Sequence, residues 1–321
     1  MSFPELVRKY LPLWVGLSIF SALLVGYYFP GVKALKPAIP FLLIVMLYPM
    51  MINLRVEEIG KALRDPKVMG LALLMNFLLT PILGALWAHM LFKGTDSYLP
   101  VGFILKVTVP CSGMVAAWTG YAKGRIESAL IIVALSLFLA IPLVPVWMWF
   151  LARVYVSVDP VMILTKMFLI VLLPLAAGLI TRKILLRFDP EGYKKLSPMF
   201  PTISSCGMLI IVFVIISCEA RLIVPNYHWV LLIILGIGTL YPFLFSLAVL
   251  LSKALQIPYG DAMALGYSVT AKNHAITIAL AMTSFGGGIA ALPAAVAPVV
   301  QIPIMLTALQ LSDRIKGFLR R

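Results

Sequence analysis

Charged residues are scarce in this sequence of 321 residues. Asp, Glu, Lys and Arg together make up 12% of it, whereas 62% of the residues are hydrophobic. Soluble domains carry about 25% charged residues. The mean hydropathy is +1.04. So little charge excludes a soluble globular protein, and the composition instead predicts an all-α polytopic membrane protein.

Acidic residues are especially few, at 12 against 26 Lys and Arg, which gives a formal net charge of +14. In a soluble protein this excess would suggest nucleic-acid binding, but basic loops are also how a membrane protein sets its orientation. We therefore expect a lipid bilayer around the protein and no nucleic-acid partner. The sequence has only three cysteines, all in apolar stretches, which argues against a disulfide framework: Cys111, Cys206 and Cys218.

Signatures of catalysis are missing as well. The sequence has no phosphate-binding loop, no HExxH pair and no nucleophile elbow. The connections between its hydrophobic runs are too short for an ATPase domain. We therefore expect no cofactor, no bound metal and no enzymatic activity. The alternatives from other classes are a membrane-embedded enzyme that uses Cys111 or His274, and a channel.

Long hydrophobic runs are what the sequence does have. About 20 apolar residues cross the hydrocarbon core as a helix. With the N-terminus inside, 18 of the 26 Lys and Arg fall on the cytoplasmic side and 5 outside, which predicts a multi-pass plasma-membrane protein with both termini cytoplasmic. Ten spans are predicted, near residues 11–29, 37–54, 68–92, 98–121, 127–152, 161–181, 200–219, 228–252, 261–286 and 289–312.

The ten spans divide into two halves of five. Five is odd, so two similar halves must lie in opposite orientations, and such inverted repeats are a recurring transporter architecture. The sequence predicts a single transmembrane domain with one repeat over about 1–156 and the other over about 157–321. Landmarks recur at offsets of 161 or 162 residues: Pro40 and Pro201, Pro81 and Pro242, and Gly124 and Gly286.

Polar residues interrupt span 9 near its middle, around Lys272. A lysine at that depth costs several kcal/mol unless it faces a cavity or a partner. The repeat offset takes residues 270–274 to residues 108–113 in span 4, which read TVPCSG. Pro110 removes a backbone donor and Gly113 loosens the helix. The sequence thus predicts two crossed, broken helices with a substrate site at the midplane.

Eight residues around the two breaks are candidates for binding substrate: Lys106, Thr108, Cys111, Ser112, Thr270, Lys272, Asn273 and His274. The Lys272 ammonium could attract an anion, take the place of a bound cation, or exchange protons. Lys106 either faces the same region or reaches the outer interface. Cys111 is either a small buried residue or a thiol ligand. His274 is either a proton acceptor or a hydrogen-bonded structural residue.

Two further polar residues, Asn76 and Gln301, lie alone in apolar spans. Helix–helix hydrogen bonds explain such residues, and Gln301 is also a candidate for lining a cavity. No Asp or Glu lies in the middle of either broken span. A hard cation such as sodium prefers oxygen ligands, often including a carboxylate, so a centrally bound sodium ion is poorly supported.

The run Val109–Trp118, VPCSGMVAAW, resembles the span-4 motif of the arsenite efflux permeases, in which a cysteine follows a proline or arginine and precedes Met-Val and a Trp. The ten spans in two inverted halves are similar to the bile acid/arsenite/riboflavin transporter superfamily, most like those permeases. The resemblance implies that Cys111 is linked to the metalloid. Span 9 of the permeases carries Asn-Phe-Glu, and this sequence keeps the Asn at Asn273 but lacks the Glu.

The same resemblance has an implication for coupling. Sodium-coupled bile acid relatives hold sodium with a Glu and a Gln in span 9, and the nearest positions here are Ser268 and Lys272. It therefore implies sodium-independent transport, with the ammonium group in place of the ion. Proton coupling stays open.

We expect a secondary transporter that works by alternating access. A core of spans 3–5 and 8–10 would move against a panel of spans 1, 2, 6 and 7. The substrate would be arsenite or, as the alternative, a small organic anion, because two lysines and no acid favour negative charge.

Overall fold

The computed structural model describes Val7, residues 10–54 and residues 65–320. Within that part the chain is almost entirely helical, with no β-strand. Six basic residues that support the predicted orientation lie outside the described residues, as does most of the predicted loop 55–67: Arg8, Lys9, Arg55, Lys61, Arg64 and Arg321.

The helices follow the hydrophobic runs of the sequence closely. A 3₁₀ segment, Pro30–Ala38, leads directly into α2. The helices are α1 (Leu11–Tyr28), α2 (Ile39–Ile52), α3 (Pro66–Leu91), α4 (Tyr98–Thr108), α5 (Met114–Tyr121), α6 (Ile126–Ala152), α7 (Pro160–Phe188), α8 (Pro190–Leu196), α9 (Met199–Ile223), α10 (His228–Ala254), α11 (Tyr259–Thr270), α12 (His274–Ser284), α13 (Gly288–Gln310) and α14 (Ser312–Arg320).

In the described part of the chain, eight helical segments are long and apolar enough to cross a membrane. They correspond to eight of the ten predicted spans, which confirms an all-α polytopic membrane protein. Predicted spans 4 and 9 are each divided into two shorter helices, α4 with α5 and α11 with α12. α7 is longer than predicted and continues past residue 181 to Phe188.

Two of the long helices contain a π-helical turn. In α3 the turn is Met75–Leu79, and in α7 it is Phe168–Leu172. Each turn is followed within two residues by a proline, Pro81 or Pro174. A proline supplies no N–H and crowds the preceding turn, and the wider π turn relieves that conflict. The extra residue also shifts which side chains face the neighbouring helices.

The helices pack in two groups that share a boundary. α9 packs against α1 and α2, and α2 also packs against α7. In the second group, α13 packs against α4 and α10, α3 against α4, and α10 against α11. α13 also contacts α1 and α9, so it lies where the two groups meet.

Glycine permits the closest approach in the second group. A Cβ at Gly102 in α4 would collide with the carbonyl oxygen of Ala290 in α13. Close backbone approach at small residues is how membrane helices pack, since lipid provides no hydrophobic force between them. α4 is thereby held against α13 just before it reaches its break.

Candidate functional site

The first break separates α4 from α5. α4 ends at Thr108, and Val109 is extended, with ψ of 159°. A residue before proline is driven out of the helical region by contact with the proline ring. Pro110 itself has no N–H to continue the helix. The break between α4 and α5 therefore follows from the backbone constraints that Pro110 imposes.

The second break separates α11 from α12 and contains neither proline nor glycine. α11 ends at Thr270, and α12 begins at His274. Asn273 is the N-cap of α12, because its Oδ1 accepts the N–H of Ile276 at 3.1 Å. An asparagine in this position satisfies one of the free N–H groups at a helix start. Here a side chain, rather than a backbone constraint, starts the new helix.

The two breaks pair with each other. Cys111 and Lys272 form an antiparallel bridge. The N–H of Ser112 donates to the carbonyl of Ala271 at 2.8 Å, and the N–H of Asn273 donates to the carbonyl of Pro110 at 3.0 Å. Unwound backbone is tolerated at membrane depth only where its polar groups find partners inside the protein. These two bonds supply such partners.

The helices on either side of the bridge also contact each other. α4 packs against α12, and α5 packs against α11. The first half of each broken helix therefore contacts the second half of the other.

Lys272 points into the second helix group. Its side chain is 0% exposed, so it reaches neither lipid nor water. Its Nζ donates to Oδ1 of Asn76 at 3.0 Å. The amide of Asn76 in turn donates to Oγ of Ser268 at 2.9 Å and to the carbonyl of Ala72 at 3.0 Å. Asn76 lies in the π turn of α3 and links that helix to α11 and to the second break.

Lys106 is also 0% exposed, and its Nζ donates to the backbone carbonyl of Lys272 at 3.1 Å. The alternative that Lys106 reaches the outer interface is therefore wrong. A lysine of α4 satisfies a carbonyl that the broken second helix leaves free. Neither buried ammonium group has a carboxylate partner among the described residues.

Cys111 is buried at the bridge itself. Its Sγ lies 3.1 Å from Oγ of Ser136 in α6, and that hydroxyl donates to the carbonyl of Val133 at 2.9 Å. The thiol thus faces α6 rather than an open space. As the structure stands, a ligand would have to displace this contact to reach the sulfur.

Three other predicted residues are engaged by nearby backbone. Thr108 and Thr270 donate back into their own helices, to Ile104 at 2.7 Å and Gly266 at 3.0 Å. Nδ1 of His274 lies 3.2 Å from the carbonyl of Ala294 in α13. His274 therefore has the hydrogen-bonded structural contact that was one of its two interpretations.

Three residues beside the bridge are less completely buried than the two lysines. Gly113 is exposed, and Ser112 and His274 retain exposed fractions of 6% and 8%. Oγ of Ser112 has no hydrogen-bond partner in the part of the chain that the structure describes. The amide of Asn273 lies 4.0 Å from Sδ of Met50 in α2, across the boundary between the helix groups. Beside the bridge, the hydroxyl of Ser112 thus has no described partner, and the Asn273 amide reaches towards α2.

Gln301 in α13 is fully buried, and neither its side-chain nitrogen nor its oxygen is hydrogen-bonded to any described residue. It is not one of the lone polar groups that a helix–helix hydrogen bond explains. Such a hydrogen bond does explain Asn76, because its amide in α3 donates to Oγ of Ser268 in α11.

Two residues of the site were not predicted as part of it. Asn76 was interpreted as a helix–helix contact only, and Ser136 was not singled out. The signal for Asn76 was its isolation in an apolar span that needs an internal partner. Nothing in the local sequence distinguishes Ser136 from the small polar residues common in membrane helices.

These observations define a class: a polytopic helical membrane protein in which two broken helices pair at their breaks and bury two lysines beside the junction. Comparison with protein families then gives a more specific assignment. The chain belongs to the Sodium Bile acid symporter family, whose model matches residues 40–226. It is therefore a transporter of that family, as its relatives also indicate.

Three curated relatives align with most of this chain. An arsenical-resistance protein, Acr3, of Alkaliphilus metalliredigens is 27% identical, covering 96% of this chain and 92% of the relative. An uncharacterized transporter of Synechocystis sp. is 28% identical, covering 97% and 89%. An uncharacterized sodium-dependent transporter, YocS, of Bacillus subtilis is 23% identical, covering 88% and 84%.

Proposed function

We propose that the protein is a secondary active transporter that moves its substrate by alternating access and resembles the arsenite efflux permeases. The family membership and the arsenical-resistance relative support this proposal. The single observation that carries it is the hydrogen-bonded pairing of two helix breaks beside two buried lysines. Broken helices that meet near the midplane are a recurring transport site. An enzyme is less well supported, because no oriented pair of base and nucleophile can be read from the sequence.

The proposed architecture is ten spans in two inverted repeats of five. The bridged residues support it, because Pro110 and Ala271, Cys111 and Lys272, and Ser112 and Asn273 are each 161 residues apart. The same separation relates Pro40 to Pro201 and Pro81 to Pro242. The hydrogen bond from Ser112 to Ala271 and the bond from Asn273 to Pro110 therefore exchange under the repeat. A two-fold axis through the bridge accounts for this reciprocity.

We assign α1, α2, α7 and α9 to a panel and α3–α6 with α10–α13 to a core, in a plasma membrane with both termini cytoplasmic. The eight predicted binding side chains are all buried, which fits a site closed to water. Relative movement of the two groups at the contact between Asn273 and Met50 would open it. The positive-inside bias supports the orientation.

Transport is proposed to be sodium-independent. The ammonium of Lys272 donates to the neutral Oδ1 of Asn76, whose amide nitrogen in turn donates to Oγ of Ser268. The ammonium of Lys106 donates to the backbone carbonyl of Lys272, which the break leaves without a helical partner. Carbonyl and amide oxygens are the ligands that a coupling cation would use, so we infer that the two lysines stand in for it. Proton coupling is left as a property to be measured.

Arsenite is the first proposed substrate, supported by the cysteine at the bridge and by the arsenical-resistance relative. A small organic anion is the second, and one observation favours it. Two buried positive charges without a carboxylate among the described residues carry a desolvation cost that an anion would reduce. Arsenite is neutral at pH 7 and would not reduce that desolvation cost.

Arsenite resistance in a sensitive host tests the choice of substrate. The parent protein, the Cys111→Ser variant and a Cys206→Ser control would be expressed at matched levels. Arsenite transport predicts resistance from the parent and the control, and loss of resistance in Cys111→Ser. If the parent confers no resistance, the arsenite proposal fails. Stabilisation of the purified protein by small carboxylates, and not by arsenite, would then identify the organic-anion carrier.

A further inference from the structure

A basic pocket lies at one end of the helix bundle, and none of the break residues lines it. It is formed where α10 ends, where α11 begins and where α14 folds back over both. The cavity has a volume of about 480 Å³. Three cations line it, namely Lys253, Lys316 and Arg320. Ile257, Tyr259 and Leu319 supply much of the remaining wall.

The three cations of this pocket form no ion pair with any described residue. Among the described residues, none of the three cations has a carboxylate oxygen within 4.0 Å. α14 does carry Asp313, but that residue is exposed and is not part of the lining. Three like charges around one cavity repel each other. The arrangement therefore favours an anionic occupant.

Aromatic rings hold two of the cations in place without cancelling their charge. Nζ of Lys253 lies 3.8 Å from the ring centroid of Phe318, and Nζ of Lys316 lies 5.7 Å from that of Tyr259. Such contacts orient an ammonium group while leaving its donors available. α14 itself is fixed by Ile315 and Leu319, which pack against the core. The pocket is thus formed before any ligand binds.

The position of the pocket is that of a membrane interface. α10 is a long apolar span that ends at Ala254, and the next span begins at Tyr259. The pocket lies at the turn between them, with Phe318 exposed beside it. A site that combines cations with exposed apolar surface at this level matches a phospholipid, whose phosphate and acyl chains present the complementary groups.

We propose that this pocket binds the phosphate headgroup of an anionic phospholipid. The three cations contact the phosphate and any further negative charge of the headgroup, and Phe318 with Leu319 contacts the upper acyl chain. Basic pockets between membrane helices on the cytoplasmic side bind such headgroups. α14 would then be anchored to the bilayer as well as to α10 and α11. The proposal does not depend on which substrate the protein carries.

Native mass spectrometry and thermal unfolding of the full-length protein in neutral detergent test this assignment. The probes are phosphatidylglycerol, phosphatidylcholine and soluble glycerol 3-phosphate. The variant Lys253→Gln/Lys316→Gln/Arg320→Gln removes the three lining charges. Its matched control, Lys194→Gln/Lys195→Gln/Arg314→Gln, removes three exposed charges that do not line the pocket. The single variant Arg320→Gln is included because that exposed residue can change without disturbing the fold.

The expected result is that phosphatidylglycerol binds to and stabilises the parent and the control, whereas phosphatidylcholine and glycerol 3-phosphate do not. The triple variant should bind phosphatidylglycerol roughly 100-fold more weakly and Arg320→Gln about fivefold more weakly, as expected for individual basic contacts. Equal stabilisation by glycerol 3-phosphate would overturn the lipid assignment in favour of a soluble phosphate. Equal losses of phosphatidylglycerol binding in the control and lining variants would overturn the assignment of this pocket as the lipid site. So would equal binding of the two lipids by the parent.

Discussion

The two helix breaks have the same backbone pairing but different causes. At the first, Pro110 removes the N–H that would continue α4. At the second, no residue forbids a helix, and side chains maintain the interruption. Asn273 caps α12, and Lys272 is held by Asn76. A break fixed by the backbone should tolerate changes in its side chains, whereas a break fixed by side chains should not.

Removing the partner of Lys272 should have the largest effect. Asn76→Leu leaves the ammonium group buried without its acceptor, and we expect a loss of about 3 kcal/mol in the free energy of unfolding. Thermal unfolding in detergent measures it. Ser268→Ala is the control, since it removes only a neutral hydrogen bond and should cost about 1 kcal/mol. Equal melting temperatures for Asn76→Leu and the parent would show that Asn76 does not stabilise the buried ammonium of Lys272.

Removing the charge itself should affect transport more than stability. Lys272→Gln keeps a polar side chain at the second break but loses a charge-assisted bond, so we expect transport to fall roughly 10- to 100-fold. The melting temperature should be unchanged or higher, because a buried charge is gone. Initial rates in vesicles and unfolding of the same preparation check both parts. Parental transport by this variant would exclude Lys272 from the mechanism.

Truncating the cap should distinguish the two breaks directly. Asn273→Ala removes the acceptor of the Ile276 N–H and should cost about 1 kcal/mol of stability, whereas Asn273→Ser, which can also cap a helix, should retain most of it. The repeat-related change Ser112→Ala removes a hydroxyl that has no partner among the described residues and should cost almost nothing. A larger loss at Ser112 than at Asn273 would reverse our assignment of the two breaks.

A small effect, no larger than that of Asn273→Ala, is expected at the proline. Pro110→Ala should cost only about 0.5–1 kcal/mol, chiefly because the unfolded chain gains freedom. The carbonyl of residue 110 can still accept the Asn273 N–H that now pairs the breaks. Chemical denaturation would measure the change. A loss as large as that of Asn76→Leu would mean that the proline, rather than the pairing, holds the first break in place.

The sequence was sufficient for much of this architecture. The apolar runs are local features, so the long helices and their approximate ends could be predicted from composition alone. The first break was visible in Pro110 and Gly113. The second was visible in its polar residues, but its pairing with the first depended on the repeat offset.

The contacts of the lysines could not be predicted in the same way. Asn76 is 196 residues from Lys272 along the chain, and no local pattern relates them. The π turn at Met75–Leu79 adds to the difficulty, because its extra residue changes the helical register between the residues before and after it. Lys106 was ambiguous for another reason. A lysine in the second half of a short helix can reach an interface or a free carbonyl, and only tertiary packing decides between them.

The central claim is that two lysines occupy the junction of the broken helices in place of a coupling cation. Thermal unfolding of the purified parent protein in sodium chloride and in choline chloride at equal ionic strength tests it most directly, because a bound ion stabilises the folded state by mass action. The account predicts equal melting temperatures across the sodium series. A melting temperature that rises with sodium concentration would contradict it.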